Sequence, residues 1–210
     1  ARARASDDRL AFLAVVVLPD RQNHRAALED IYLNRRFLNA GRVQKAAGSM
    51  HQVTAFNCFV SGEIEDSMGG IMSKVKEAAL TMQKGGGIGY DFSAIRPKGD
   101  TVVGLDSIAS GVLSFMRVFD ATCATVASAG NRRGAQMATF AVWHPDVEDF
   151  IKAKRENGRL RQFNCSLLVD DEFFECVKED KSYPLVFPVR QKDLDSGINR
   201  EQLVKKKRFW

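Results

Sequence analysis

Hydrophobic and polar positions follow two alternating periods along most of this chain. A run of β-forming residues has a period of two, which places Phe56, Cys58 and Val60 on one face of a predicted strand. The period then lengthens to that of a helix over residues 66–84, with Asp66 as its N-cap. Strands that alternate with helices in this way favour an α/β fold.

The alternation continues toward the end of the chain. A second long helix is predicted to begin near Ser107, with Ile108 as the first residue of its apolar stripe. Residues 41–50 carry glycine and alanine and are predicted to form a loop. The remaining predicted elements are helices over 24–33, 145–157 and 171–178, and strands over 88–92, 136–142 and 163–169.

Composition narrows the class of protein. Hydrophobic residues make up 45% and charged residues 27% of the 210 positions, which argues against a disordered, collagen-like or coiled-coil chain. The longest apolar run, residues 11–18, is too short to cross a bilayer. The four cysteines lack C-x-x-C spacing, so a reducing, cytoplasmic location is expected. The chain begins with Ala rather than Met, and we expect it to be a piece of a longer protein.

Two glycine-containing segments are candidates for binding phosphates. The first, residues 84–89 (KGGGIG), lacks the Gly-Lys-Ser/Thr of a Walker loop and leads from helix to strand, so it is interpreted as a helix stop with close backbone packing. The second, residues 128–134 (SAGNRRG), has two arginines suited to phosphates, and a solvated basic turn explains it equally well. Arg96 and Lys98 lie in another turn with the same two interpretations.

Cys58 and His144 are the remaining candidates for chemistry. Most cysteines within strands are inert core residues, and this is the simpler interpretation of Cys58. His144 precedes Pro145 at the start of a predicted helix, without a Ser/His/Asp set or a group of metal ligands. From the residues alone, the chain is an α/β piece whose glycine–arginine loops suit anionic ligands, and no metal site is predicted.

Eight short motifs, in order and at the right spacing, resemble the large catalytic subunit of ribonucleotide reductases, most closely its adenosylcobalamin-dependent class. The resemblance extends from about residue 35 to 169. The motifs are residues 56–60 (FNCFV), 65–68 (EDSM), 85–93 (GGGIGYDFS), 95–99 (IRPKG), 110–111 with 114–116 (SG and SFM), 128–138 (SAGNRRGAQMA), 143–148 (WHPDVE) and 159–166 (RLRQFNCS).

The resemblance implies an α/β barrel of two antiparallel half-barrels around a finger loop that carries a radical cysteine. Residues 35–210 would be the first, incomplete half-barrel, and residues 1–34 an unmatched N-terminal segment. Cys58 would be the strand cysteine that reduces the 2′ position of a ribonucleotide and is oxidised to a disulfide. A buried, apolar wall would keep water from the radical intermediate. A thioredoxin-like protein would be the reductant.

The resemblance also implies an allosteric nucleotide site beside two helices that pair across a homodimer. Asp66 matches the residue on the ribose of a dNTP or ATP effector, and Arg96 matches the residue on its phosphates. Lys98 begins a loop around that nucleotide. The second loop, with Ser128, Arg132 and Arg133, would relay effector identity to the substrate base.

The family's Asn-x-Cys-x-Glu motif, the disulfide partner of Cys58 and most of the cobalamin surface are not found in this sequence. We therefore expect the chain not to turn over alone. Two alternatives stay open: the same family with a metal-containing partner subunit as radical source, and a non-catalytic nucleotide-binding or nucleic-acid-binding module. The absence of aromatic residues among the basic ones disfavours nucleic acid.

Overall fold

The computed structural model describes residues 23–102, 105, 107–126, 134–155, 160–189, 194–195 and 208–209. Its helices are α1 (Asn23–Leu33), α2 (Gly41–Ala46), α3 (Met68–Gln83), α4 (Val112–Thr125), α5 (Val147–Lys152) and α6 (Asp171–Lys178). Its strands are β1 (Cys58–Glu63), β2 (Gly87–Asp91), β3 (Thr101–Val102), β4 (Ser107–Ile108), β5 (Gln136–Ala141), β6 (Phe163–Leu168), β7 (Phe187–Pro188) and β8 (Arg208–Phe209).

Four strands form a parallel sheet in the order β1-β2-β5-β6. The connections between consecutive strands contain helices: α3 between β1 and β2, α4 between β2 and β5, and α5 between β5 and β6. This confirms the α/β fold class predicted from the sequence. The four strands do not close on themselves, so the sheet is an open part of a barrel.

The core lies between one face of the sheet and helices α3 and α4. Aromatic rings from β2 and the residue after it, from α4 and from β6 meet edge to face there. The ring centroids of Tyr90 and Phe119 are 5.0 Å apart, those of Phe92 and Phe119 5.3 Å, and those of Phe92 and Phe163 6.0 Å. Phe92, Phe119 and Phe163 are buried. Such pairs stabilise a core beyond the area that they bury, so this cluster fixes how α4 lies on the sheet.

The apolar stripe predicted for helix α3 is only partly buried. Ile71 and Met82 are buried, as the helical period predicts, whereas Met68 at the first turn is exposed. The N-cap is Ser67, whose Oγ accepts a hydrogen bond from the backbone N of Gly70 at 2.9 Å. The prediction of Asp66 as N-cap was therefore wrong, and the Asp66 side chain instead makes the long-range contact described below.

Helix α4 begins at Val112, five positions after the predicted start. Ser107 and Ile108 instead form β4, which pairs antiparallel with β3. Gly111, the residue before the helix, has a φ of +83°, a conformation that ends regular structure and that glycine adopts without strain. Ile108 is exposed rather than part of the stripe.

Several other boundaries agree closely with the sequence, whereas α5 is shorter than the predicted helix 145–157 and β1 begins two residues after Phe56. Helix α1 begins one residue before the predicted helix 24–33, strands β5 and β6 each end one residue before their predicted ends, and α6 coincides with the predicted helix. Residues 41–46 form α2 where a loop was predicted, because Ala46 and Ala47 pack into the interior. No helix in the described ranges is both long and apolar enough to cross a membrane.

Candidate functional site

Cys58 is the first residue of β1, an edge strand of the sheet. Its Cα is paired in register with Gly87 of β2, and its side chain is exposed. The expected buried, apolar wall around Cys58 is wrong for this structure: Phe56 is 70% and Val60 93% exposed. Helices α3 and α4 cover the opposite face of the sheet. On this face, Asp91, Ala141 and Leu168 at the carboxyl ends of the strands line a cavity together with Phe187 and Pro188 of β7.

Cys58 shares this face with a row of residues that crosses the sheet. Val60, Gly89, Met137 and Asn164 are successive register partners on β1, β2, β5 and β6. Val60, Met137 and Asn164 are exposed. Since residues two apart on a strand lie on the same face, Cys58 belongs to this side as well. The sequence predicted that Phe56, Cys58 and Val60 share a face. The structure confirms this for Cys58 and Val60, but the prediction was wrong for Phe56, which precedes β1 and packs edge to face against Phe59 on the side of α3.

The glycine triplet between α3 and β2 allows close packing around Cys58. A Cβ on Gly86 would lie 2.6 Å from Cε2 of Phe59, and one on Gly87 would lie 3.4 Å from Sγ of Cys58. A Cβ on Gly85 would lie 2.3 Å from a guanidinium nitrogen of the buried Arg42. The predicted role of these glycines, a helix stop with close backbone approach, is confirmed.

Asp66 and Arg96, two of the predicted nucleotide-site residues, contact each other directly. Nε and Nη2 of Arg96 lie 2.9 and 2.8 Å from Oδ2 of Asp66, and the Arg96 backbone N donates to Oδ1 at 3.1 Å. Nη1 of Arg96 also donates to the carbonyl oxygen of Thr101 at 2.6 Å. Both side chains are largely buried, so the arginine is held in a fixed position and its charge is balanced.

Lys98 follows on the same loop, with its side chain exposed. Its backbone N donates to both carboxylate oxygens of Asp146, at 3.0 and 3.2 Å. The Lys98 and Arg117 side chains have no hydrogen-bond or ion-pair partner within the described ranges. They line a cavity of about 350 Å³ at the start of α4, together with Ser110, Gly111, Leu113, Ser114, Asp146, Asp149, Lys152 and Ala153. Two unpaired cations and the hydroxyl of Ser110 are groups that suit an oxyanion, whereas Oγ of Ser114 donates to the carbonyl oxygen of Ser110 at 2.9 Å.

His144 is fully buried between this loop and the aromatic core. Its Nδ1 accepts from the backbone N of Asp146 at 3.0 Å, and its Nε2 lies 2.8 Å from the carbonyl oxygen of Ile95. Because Nδ1 is an acceptor, the proton is on Nε2, which donates to Ile95. Burial lowers the pKa of His144 below its ordinary value of 6.5, against the opposing effects of the Ile95 hydrogen bond and the Asp146 charge.

Three predicted site residues, Ser128, Arg132 and Arg133, lie outside the described residues. Conversely, sequence reasoning missed the contacts of Asp146 and placed His144 only at a helix start. An Asp in the turn before a helix was a visible signal, but its partners, Lys98 and Val112, are distant in sequence. The structure thus places Asp66, from the turn before α3, against Arg96 on the loop that also carries Lys98, and it places Cys58 on another part of the sheet.

Two of the other three cysteines, Cys123 and Cys165, differ from Cys58 in their surroundings. Cys123 is buried on α4, and Cys165 is half-buried on β6. Burial raises the pKa of both thiols, so they stay protonated at neutral pH. Within the described ranges, no three His, Cys, Asp or Glu side chains are grouped so that they could hold a metal ion.

Comparison with known proteins identifies relatives of this chain. The family described as "Ribonucleotide reductase, barrel domain" matches residues 56–207. The vitamin B12-dependent ribonucleoside-diphosphate reductase of Mycobacterium tuberculosis (strain CDC 1551 / Oshkosh) is 43% identical over 132 residues, which cover 62% of this chain and 19% of that protein. The protein of the same name from Thermoplasma acidophilum is 39% identical over 155 residues, or 73% of this chain and 20% of that protein.

A viral relative extends the comparison. The ribonucleoside-diphosphate reductase large subunit of Vaccinia virus (strain Copenhagen) is 33% identical over 156 residues, covering 72% of this chain and 20% of that protein. The chain therefore spans about a fifth of the length of the curated relatives that it matches.

Proposed function

This chain belongs to the ribonucleotide reductase family, and from that premise we propose that it forms part of the catalytic barrel of an enzyme that reduces ribonucleotides to 2′-deoxyribonucleotides. The observation that carries the proposal is Cys58, an exposed thiol at the start of a parallel strand within the matched residues 56–207. Residues 35–210 would be the first half-barrel, and residues 1–34 a separate N-terminal segment.

In this proposal, Cys58 supplies reducing equivalents to the ribose. Two thiols become one disulfide and give up two electrons and two protons, while the 2′-hydroxyl leaves as water and hydrogen takes its place. Cys58 is one of the two thiols. Its exposed position supports the role, because both the substrate and a thioredoxin-like reductant need access to the sulfur.

Adenosylcobalamin is the cofactor that the resemblance and the names of the B12-dependent relatives favour. When bound, it would supply the radical that starts the reaction. The surface beside Cys58 fits a large, partly apolar group, because Val60 and Met137 are both exposed there. These side chains would contribute contact area and exclude water from the reacting sugar.

We also propose a regulatory nucleoside triphosphate site at the loop that contains Arg96 and Lys98. The unpaired Lys98 ammonium beside the 350 Å³ cavity supports this, since it can bind a phosphate without breaking an existing ion pair. Asp66 would contact the ribose, and its ion pair with Arg96 would rearrange or be shared with the nucleotide. Ser128, Arg132 and Arg133 would form the second loop.

Homodimerisation through α3 and α4 completes the proposal. The outer surface of α3 exposes Met68, Met72 and Leu80, which is a larger apolar surface than a solvated helix needs. A second copy of this chain would bury these residues. The four cysteines are free, in agreement with a reducing, cytoplasmic setting.

The test is deoxyribonucleotide formation by the whole protein, supplied with ribonucleoside di- or triphosphate, adenosylcobalamin and a dithiol. Cys58→Ser should abolish product formation, whereas Cys165→Ser, at a strand cysteine on the covered side, should retain most of it. Product formation by Cys58→Ser at the wild-type rate would overturn the role of Cys58. Nucleotide binding without turnover under any condition would favour the non-catalytic binding module.

A metal-containing partner subunit is the second candidate radical source, because relatives such as the viral large subunit carry no B12-dependent name. The same assay separates the two. Activity that depends on added adenosylcobalamin supports the first candidate, and activity that appears only with a metal-loaded partner protein supports the second.

A further inference from the structure

We propose that Asp146, held in place by His144, is a positioning residue that fixes the Lys98 loop and the start of α4, and thereby sets the affinity of the cavity between them for nucleotide phosphates. The proposal rests on the nucleotide site proposed above. It adds two residues from a different part of the chain, the turn before α5, to which neither the resemblance nor the names of the relatives give a role.

The Asp146 carboxylate joins two segments that are distant in sequence. It accepts from the backbone N of Lys98 at 3.0 and 3.2 Å, and from the backbone N of Val112, the first residue of α4, at 3.4 Å. The residue is 9% exposed. A buried carboxylate that satisfies backbone donors on both sides is a strong link, because removing it leaves those N–H groups without an acceptor.

Close packing at Gly111 shows how tightly the three segments are held. A Cβ on Gly111 would lie 2.6 Å from Cβ of Lys98 and 3.1 Å from Oδ2 of Asp146. No side chain fits between the loop, the helix start and the carboxylate. A shift of Asp146 therefore cannot be absorbed locally and has to move either Lys98 or α4.

His144 anchors the other end of the same loop. Its Nε2–H donates to the carbonyl of Ile95, and its Nδ1 accepts from the N–H of Asp146, so one buried ring connects the loop to the turn that carries the carboxylate. The two anchors, at Ile95 and Lys98, enclose Arg96. The loop is thus held at residues 95, 96 and 98 by the side chains of His144, Asp66 and Asp146, in that order.

This arrangement determines what the loop offers a ligand. The Lys98 backbone N–H is occupied by Asp146, so the exposed ammonium group is the part of Lys98 that a phosphate can reach. Asp146 also places a negative charge near the cavity, which by itself weakens anion binding. Positioning and charge therefore have opposite effects on affinity, and this difference makes the proposal testable.

The experiment compares Asp146→Ala and Asp146→Asn with Asp149→Ala in the whole protein. Asp149 is exposed on α5 and lines the same cavity, so its removal takes away a like charge but no contact with the loop. The Kd for dATP is measured by calorimetry, and backbone hydrogen exchange is measured at Lys98 and Val112. The exchange rates show whether Asp146 holds the two backbone amides, and the Kd shows whether this affects nucleotide binding.

We expect Asp146→Ala to raise the Kd about tenfold or more and to accelerate exchange at both amides. Asp146→Asn, which can accept but carries no charge, should fold readily and bind dATP more tightly than Asp146→Ala. Asp149→Ala should leave exchange unchanged and bind dATP as tightly as, or more tightly than, the wild type. Binding of dATP by Asp146→Ala as tight as, or tighter than, that of the wild type would show that only the charge matters and would overturn the proposal.

Unchanged exchange at Lys98 and Val112 in Asp146→Ala would overturn the positioning role whatever the affinity. If the wild type binds neither dATP nor any other nucleoside triphosphate, the proposed nucleotide site fails, and the effect on phosphate affinity fails with it. The exchange measurement then still decides separately whether Asp146 holds the loop.

Discussion

Asp66 and Arg96 form a largely buried ion pair that joins the turn before α3 to the loop after β2. Oδ2 of Asp66 is 2.8 Å from Nη2 and 2.9 Å from Nε of Arg96, and the two side chains are only 5% and 13% exposed. Both residues were predicted to contact a nucleotide, and here they contact each other. The same pair can therefore serve the stability of the fold and, when a nucleotide competes for it, regulation.

Breaking this pair from one side should be costly. Asp66→Ala leaves a buried guanidinium without its counter-charge, and we expect the free energy of unfolding to fall by about 3–5 kcal/mol. The double variant Asp66→Ala/Arg96→Met removes both charges and should lose less than the sum of the single changes. Urea denaturation of the wild type, the two single variants Asp66→Ala and Arg96→Met, and the double variant gives the coupling energy between the two side chains. If the losses of unfolding free energy in the single variants simply add up in the double variant, the two side chains do not interact directly.

Lys98 is a better probe of nucleotide binding than Asp66 or Arg96, because its side chain makes no hydrogen bond or ion pair within the described ranges. We expect Lys98→Ala to weaken dATP binding about tenfold while leaving the melting temperature unchanged. Lys178→Ala, at an exposed lysine on α6 whose partner is Glu175, is the matched control and should change neither quantity. Equal affinities for the two variants in calorimetry would remove Lys98 from the nucleotide site.

Gly111 should not tolerate a side chain. Its φ of +83° is unfavourable for alanine, and the added Cβ would lie 2.6 Å from Cβ of Lys98. Gly111→Ala is therefore expected to lower the free energy of unfolding by about 2 kcal/mol or more. Gly69→Ala, at a helical position with nothing within 4 Å of the new Cβ, should raise it by up to about 1 kcal/mol.

The burial of His144 predicts a pH dependence of stability. Its pKa is lowered in the folded protein, so the unfolded chain binds a proton more readily below the ordinary value of 6.5. The free energy of unfolding should hence decrease as the pH falls from 6.5 toward the lowered pKa, and should not depend on this group above 6.5. Stability curves should lose that slope in His144→Gln and keep it in His51→Gln, whose histidine is exposed.

Local patterning predicted much of the fold. Strands β5 and β6 and helix α6 were found within one residue of their ends, because period and side-chain type agree over these segments. The start of α4 was misplaced because Ile108 fits the helical stripe, while the left-handed backbone of Gly111 has no signature in hydrophobicity. The choice between Asp66 and Ser67 as N-cap could not be made from sequence either, since both residue types cap helices.

The sequence predicted those features of the candidate site that lie within one segment of the chain. It did not predict contacts between two segments that are distant in sequence. Cys58 and Val60 share a face because strand residues alternate, but their exposure is decided by what covers the sheet. The contacts of Asp146 with Lys98 and of His144 with Ile95 join distant parts of the chain. No local pattern encodes such pairs, so only the folded structure reveals them.

The central claim is that Cys58 delivers electrons to a ribonucleotide, and a single turnover without external reductant tests it most directly. The whole protein is reduced, freed of dithiol, and mixed with substrate and adenosylcobalamin. We predict about one deoxyribonucleotide and the loss of two thiols per active site, and neither in Cys58→Ser. Formation of deoxyribonucleotide by Cys58→Ser with the same loss of thiols would contradict the claim.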